Sequence, residues 1–206
     1  MIILLPEQEK IKQYLHDLNL NFLVVNNKTV ADIKNTITTI GDICNAKEEA
    51  KKLLLKINKS ITVISEKTKN LTKPKVLISI GRTIGNGTIK DVYIAGKKTF
   101  YDELILLAGG INAYNDSSTT YPMLSAEGII HLNPQIIIDF VTDVNNSNAD
   151  SKLILKDWQS INSVDAIKNG QVKIFNSDYI VIPGPRFFLL LQDLAKAIHP
   201  EITWEF

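Results

Sequence analysis

Cysteine is almost absent from this chain. Cys44 stands alone, so no disulfide can close within it and no thiolate cluster can hold a metal. It follows Ile37, Ile40 and Ile43 at helical spacing, which predicts a buried thiol. Arginine is nearly as scarce, with only Arg82 and Arg186, and the 23 basic residues are offset by 22 acidic ones. A formal charge of +1 without a lysine run excludes the footprint of a nucleic-acid or anionic-lipid binder. His16, His131 and His199 lie far apart with no second ligand at metal spacing, so helix surfaces and caps are their expected places. There is no G-x-S-x-G elbow, Walker loop or H-E-x-x-H pair. No catalytic residue and no metal site is expected. Long apolar runs are missing too: the run at 2–5 is followed by Pro6 and charges, with no basic start and no cleavage site, so no signal peptide is read in this chain.

What is present is alternation. Hydrophobic residues make up 45% of the 206, enough for one large core or two small ones. Apolar runs at 2–5 and 21–25 predict strands, and the segments after them, 7–18 and 29–44, carry helical periodicity. From 46 to about 70, Ala50, Leu53, Leu54, Ile57, Ile61 and Ile64 recur at spacings of three and four with no glycine or proline. That pattern predicts one long helix, ended by Pro74. A second alternation follows, with strands at 76–80, 92–95, 136–140 and 172–175 and helices at 99–108, 125–131, 152–159 and 185–198. Turn chemistry gathers at Gly85-Asn86-Gly87, Gly109-Gly110, 145–150 and Asn169-Gly170. The fold class is α/β, in three parts: an N-terminal unit at 1–45, which the resemblance described below implies is partial, a helix between units at 46–73, and a C-terminal unit at 74–206. A helical linker restricts motion between the units.

Ligands of open α/β sheets bind beyond the carboxyl ends of the strands. Arg82 follows one strand, Tyr179 follows the last, and Tyr121 precedes the helix at 125–131, so these three are the candidate ligand contacts. The glycines at 81–87 could cradle an anion, but they lack dinucleotide spacing and read as a flexible loop.

The stretch from Tyr93-Ile94-Ala95-Gly96 through Thr99-Phe100-Tyr101 to Ala108-Gly109-Gly110-Ile111-Asn112 resembles the substrate-binding proteins of ABC importers for ferric siderophores, haem and cobalamin. So do Tyr121-Pro122-Met123-Leu124-Ser125-Ala126-Glu127, Asn133-Pro134-Gln135-Ile136, Asn169-Gly170 and Pro183-Gly184-Pro185-Arg186, in the same order. The resemblance implies two Rossmann-like lobes bridged by one long helix, no enzymatic activity, and no cofactor beyond the transported ligand. It implies partnership with the permease subunits of an ABC transporter, with Glu127 as a docking residue. In such proteins an export signal and further strands precede the match to residues 1–5. The first lobe is therefore expected to be incomplete, and the full-length form to be periplasmic or anchored outside the membrane. Arg82 with two tyrosines suits an anionic ferric siderophore. The alternatives are a cobalamin or haem ligand, and a truncated paralogue that binds nothing. An enzyme or metallochaperone on the same scaffold would need converging acid, base or metal residues, which the sequence does not offer.

Overall fold

A computed structural model describes residues 2–141 and 151–206, so the turn expected at 145–150 lies outside the described residues. The chain opens with β1 (Ile2–Leu4), α1 (Glu9–Asp17), β2 (Phe22–Val24) and α2 (Val30–Ile43). β1 and β2 pair in parallel with Ile2 opposite Phe22, forming a two-stranded sheet. This sheet is thinly covered: Ile2, Ile3 and Val24 are exposed, and α1 buries no residue.

α2 starts sharply because Thr29 and Asp32 form a capping box, each side chain taking the other's backbone N–H at 3.0 Å. A second carboxylate arrives from across the molecule, as Glu103 accepts the Val30 N–H at 2.8 Å. The helix buries Val30, Ile33, Ile37 and Gly41. Cys44, expected in the core, is exposed. It sits beyond the last turn of α2, where Ile43 is also exposed, because the packed face has rotated away by then.

α3 (Lys47–Thr68) is the long helix, 22 residues without a break and so about 33 Å. Its buried stripe, Ile57, Ser60, Ile64 and Thr68, keeps three- and four-residue steps and faces the second unit. That unit holds β3 (Lys75–Arg82), β4 (Val92–Ile94), α4 (Phe100–Leu107), β5 (Ile111–Asn112), β6 (Met123–Leu124), α5 (Ala126–Leu132), β7 (Ile136–Phe140), α6 (Ser151–Gln159), α7 (Asp165–Lys168), β8 (Val172–Phe175) and α8 (Phe187–Ile198). Its sheet runs β6-β4-β3-β7-β8, with β5 beside the start of β3. β3, β7 and β8 are parallel, whereas β4 is antiparallel to both neighbours. Alternation of side chains along these strands makes two cores. Val76, Ile78, Ile136, Ile138 and Phe140 pack towards α2, α3, α4 and α8. Leu77, Val92, Ile94 and Ile137 pack towards Trp158, Ile161 and Val164.

The first core runs through both units, since Ile33 and Ile37 of α2 share it with Ile57 and Ile64 of α3 and with Leu104 and Leu191. At the amino ends of the strands α3, α4 and α8 meet at Gly109, whose positive φ of 84° ends α4. A Cβ there would lie 2.7 Å from Thr68 and 2.8 Å from His199, so glycine is required by both conformation and space.

Continuity of α3 is directly testable. Ile57→Pro removes a mid-helix hydrogen bond and clashes with the preceding turn, and is expected to cost ~3 kcal/mol beyond the loss of the side chain alone. Urea midpoints of Ile57→Pro and Ile57→Ala compared side by side would read this. Equal midpoints would show that an unbroken α3 is not what the fold requires.

Candidate ligand-binding site at the strand carboxyl ends

β3, β7 and β8 end on one side of the sheet, at Arg82, Phe140 and Phe175, and the loop after β8 leads there into the start of α8. α4 also begins on this side, where its Glu103 reaches the first unit at Val30. The space between the units therefore lies beyond the strand carboxyl ends, where α/β proteins hold ligands.

Arg82 does not open into that space. A β-bulge between Ser79 and Gly81 inserts one residue opposite β4, so Ser79 faces Ile94 and Arg82 faces Val92. Ile94 and Val92 belong to the same core, and the extra residue swings Arg82 onto that face. Its side chain is 2% exposed and lies between two carboxylates: Nη2 is 2.8 Å from Asp139 Oδ2 and Nη1 is 2.7 Å from Asp157 Oδ2. Nε donates to Asp139 as well, at 2.9 Å, and the guanidinium sits 5.2 Å from the Trp158 ring centroid. The indole N–H of Trp158 donates to the same Asp139 oxygen at 2.8 Å.

The glycine loop after β3, read from sequence as flexible, is anchored to this cluster. Gly85 and Gly87, both at positive φ, donate their N–H groups to Asp157 at 2.8 and 2.6 Å. The loop does cradle an anion, as its glycines allow, and the anion is the chain's own carboxylate. Burial alone would raise the Asp157 carboxyl. The Arg82 guanidinium and the two N–H groups outweigh that and hold it below its ordinary value. The expected ligand contact at Arg82 is corrected accordingly, because its charge is already taken up by Asp139 and Asp157.

On the opposite face a row of rings crosses the same end. Tyr101 packs edge-on against Phe140 at 5.5 Å, and Phe140 stacks on Phe175 at 6.1 Å. Burial pushes the Tyr101 phenol up, and the neighbouring Tyr121 adds to the rise. Tyr121, 44% exposed, therefore stands at the β6 end of this row, and burial raises its own phenol too. Tyr179 packs against the same core at the β8 end. Its hydroxyl donates to Asp193, and burial followed by that carboxylate raises it. The structure thus sets Tyr121 and Tyr179 at opposite flanks of one aromatic row and puts Arg82 on the other face.

Sequence reasoning missed what surrounds Tyr179. Arg186, its side chain 52% exposed, lies over the Tyr179 ring at 6.0 Å and pairs with the exposed Asp178 at 2.8 Å. Val181 and Ile182 in the same loop are exposed, Ile182 at 53%. The signal was available: Arg186 ends the Pro183-Gly184-Pro185 turn after the last strand, where a ligand-side loop must return into its helix. Glu127 is exposed at the start of α5, where its own backbone N–H and the Ser125 hydroxyl lower its carboxyl. Among the described residues no group of three His, Cys, Asp or Glu side chains could hold a metal ion.

Two α/β units joined by one long helix are the architecture of a two-lobed binding protein. Residues 6–179 match the periplasmic binding protein family, and the chain belongs to it. It is 28% identical over 197 residues to the uncharacterised ABC transporter substrate-binding lipoprotein YvrC of Bacillus subtilis. That match covers 94% of this chain and 58% of the lipoprotein, so the chain spans a little over half of that relative. It is 31% identical over 111 residues to a cobalamin-binding protein of Halobacterium salinarum, covering 53% of this chain and 30% of that protein. In fold it is similar to a possible iron-binding periplasmic protein of Staphylococcus epidermidis, with a TM-score of 0.74, 24% identity and coverage of 96% of this chain and 75% of that one. No helix among the described residues is long and apolar enough to cross a membrane.

Because Arg82 neutralises buried carboxylates, Arg82→Ala is expected to destabilise the protein by ~3–5 kcal/mol, as charges left without their partner do. A depressed Asp157 carboxyl stabilises the fold fully above the unfolded-state value, about 3.9, and ceases to as pH falls through the lower folded value. Acid unfolding curves should therefore fall steeply below about pH 4 in the wild type and less steeply in Asp157→Asn. Parallel curves would show that this carboxylate is not linked to folding.

Proposed function

We propose that this chain is the ligand-binding part of an ABC importer and takes up an iron complex, a ferric siderophore in the first instance. The reading is carried by the loop after β8, where the exposed Arg186 lies over Tyr179 beside the apolar Val181 and Ile182. A guanidinium held over a phenol ring suits an anionic, ring-bearing ligand, and its partner Asp178 is solvent-exposed and easily displaced. Arg186 thus takes the part first expected of Arg82, while Tyr121 supplies aromatic surface on the other flank. Cobalamin is the second reading, favoured by the named activity of the archaeal relative and by the apolar character of Val181 and Ile182.

Trp158 stacks behind Arg82 at this end, so its fluorescence is a convenient readout. In the longest form the gene encodes, titration with a ferric catecholate or hydroxamate should quench it saturably. Arg186→Ala should weaken that binding about tenfold, ~1.4 kcal/mol. Tighter binding of cyanocobalamin or haemin would overturn the siderophore reading, and failure of all three ligands would overturn the binding role.

The proposal extends to Glu127 as a contact for the permease, supported by its exposed carboxylate at the start of α5, which its own backbone N–H and the Ser125 hydroxyl favour in the ionised form. Glu127→Ala should then leave the melting temperature and ligand affinity unchanged while reducing uptake in cells. Normal uptake with a lowered melting temperature would reduce Glu127 to a helix-start residue.

A further inference from the structure

The buried cluster around Arg82 is not closed on itself. Asp139 uses only one of its two oxygens: Oδ2 accepts from both Arg82 and Trp158, whereas Oδ1 is buried with no hydrogen-bond partner. The Ser79 hydroxyl is the other buried side-chain oxygen without a partner among the described residues. The two are neighbours by construction, since Ser79 and Asp139 are register partners on the parallel strands β3 and β7. Alternation puts both side chains on the same face: Ser79 lies opposite Ile94 of the second core, and Asp139 stands two residues after Ile137 of that core. Both residues are at most 1% exposed.

A carboxyl oxygen and a hydroxyl left unpaired side by side in the interior would each carry the full desolvation penalty of an unmade hydrogen bond. We propose that Ser79 and Asp139 hold a single buried water molecule between β3 and β7. The chemistry selects water. One of its protons goes to Asp139 Oδ1, the acceptor that arginine and tryptophan leave free, and its oxygen accepts the Ser79 O–H. Interior waters make about two to four hydrogen bonds to polar groups that the fold leaves unsatisfied, and these two partners meet the lower end of that range. A metal cation, the rival occupant of a site with excess negative charge, needs a shell of several oxygens, and among the described residues no group of three His, Cys, Asp or Glu side chains is placed to supply one. The excess itself is real, one guanidinium facing two carboxylates, and the dipole of a water oriented by Ser79 offsets part of it. The bound water completes the clamp that fixes Arg82, and through Asp157 the loop at 83–87, at the ligand end of the sheet.

A high-resolution crystal structure is the direct test, with an isolated density peak expected within ~2.7–3.2 Å of both Ser79 Oγ and Asp139 Oδ1. Direct bonding of the two side chains to each other, or of Ser79 to a main-chain carbonyl with no peak between, would overturn the proposal. An anomalous signal at the site in crystals soaked in rubidium would overturn it in favour of a cation. In solution, backbone amides beside Ser79 and Asp139 should show cross-relaxation with a long-lived water. Serine hydroxyl exchange could mimic that signal, so the same experiment is run on Ser79→Ala, which has no hydroxyl. Persistence of the cross-peak there supports a bound water held by Asp139, and absence of any cross-peak in the wild type overturns the water.

Discussion

One guanidinium between two buried carboxylates organises the carboxyl end of the larger sheet. Arg82 joins the end of β3 to β7 through Asp139 and to α6 through Asp157, and Asp157 in turn holds the loop at Gly85 and Gly87. Energetically such a cluster is double-edged. Bringing three charges out of water costs several kcal/mol per ion, and their attraction does no more than offset this when every hydrogen bond is made. The network is therefore better understood as fixing position than as adding stability: a hydrophobic replacement of equal volume could hold the sheet, but it would not place the loop backbone. Breaking any one partner leaves an uncompensated charge in the interior, which gives the arrangement its all-or-none character.

The other constraint is the shared core. α3 is more than a spacer, because Ile57 and Ile64 pack in the same cluster as Ile33 and Ile37 of α2 and Leu104 and Leu191 of the second unit. The first unit is consequently attached through a helical face, with Glu103 adding a carboxylate at the positive end of α2. Its strands β1 and β2 contribute little to that attachment, and their exposed Ile2, Ile3 and Val24 leave that sheet thinly covered. Relative movement of the units must disturb this common core or bend α3, so the space at the strand carboxyl ends is largely set by folding.

The elements with strong periodicity were legible in the sequence. α3 was expected over 46–70 and spans Lys47–Thr68, and the strands at 136–140 and 172–175 fall where β7 and β8 stand. β5 and β6, two residues each, carry no periodicity to detect. The antiparallel course of β4 had a signal of a negative kind, since no helix separates it from β3 and a parallel return needs a crossover. Arg82 was illegible for a different reason. Its fate depends on a one-residue bulge and on carboxylates 57 and 75 positions away, and no local pattern encodes either. Cys44 shows the limit of periodicity itself, which predicts a face but not the turn at which the face leaves the core.

These placements change the electrostatics of the ligand side. Of the two arginines, one is internal and compensated, and the other, Arg186, is half exposed and shares its charge with Asp178. An exposed guanidinium acts through water and salt, so its pull on an anion is modest and screened beyond about 10 Å at moderate ionic strength. The aromatic and apolar groups are not weakened in this way: Tyr121, Val181 and Ile182 offer surface whose burial contributes in proportion to area. On the proposed reading, Arg186 and Tyr179 orient the ligand, and the fit of its hydrophobic periphery to these side chains sets most of the affinity. Discrimination between an iron complex and a corrinoid then rests on the shape of that wall, because both can satisfy a single exposed cation.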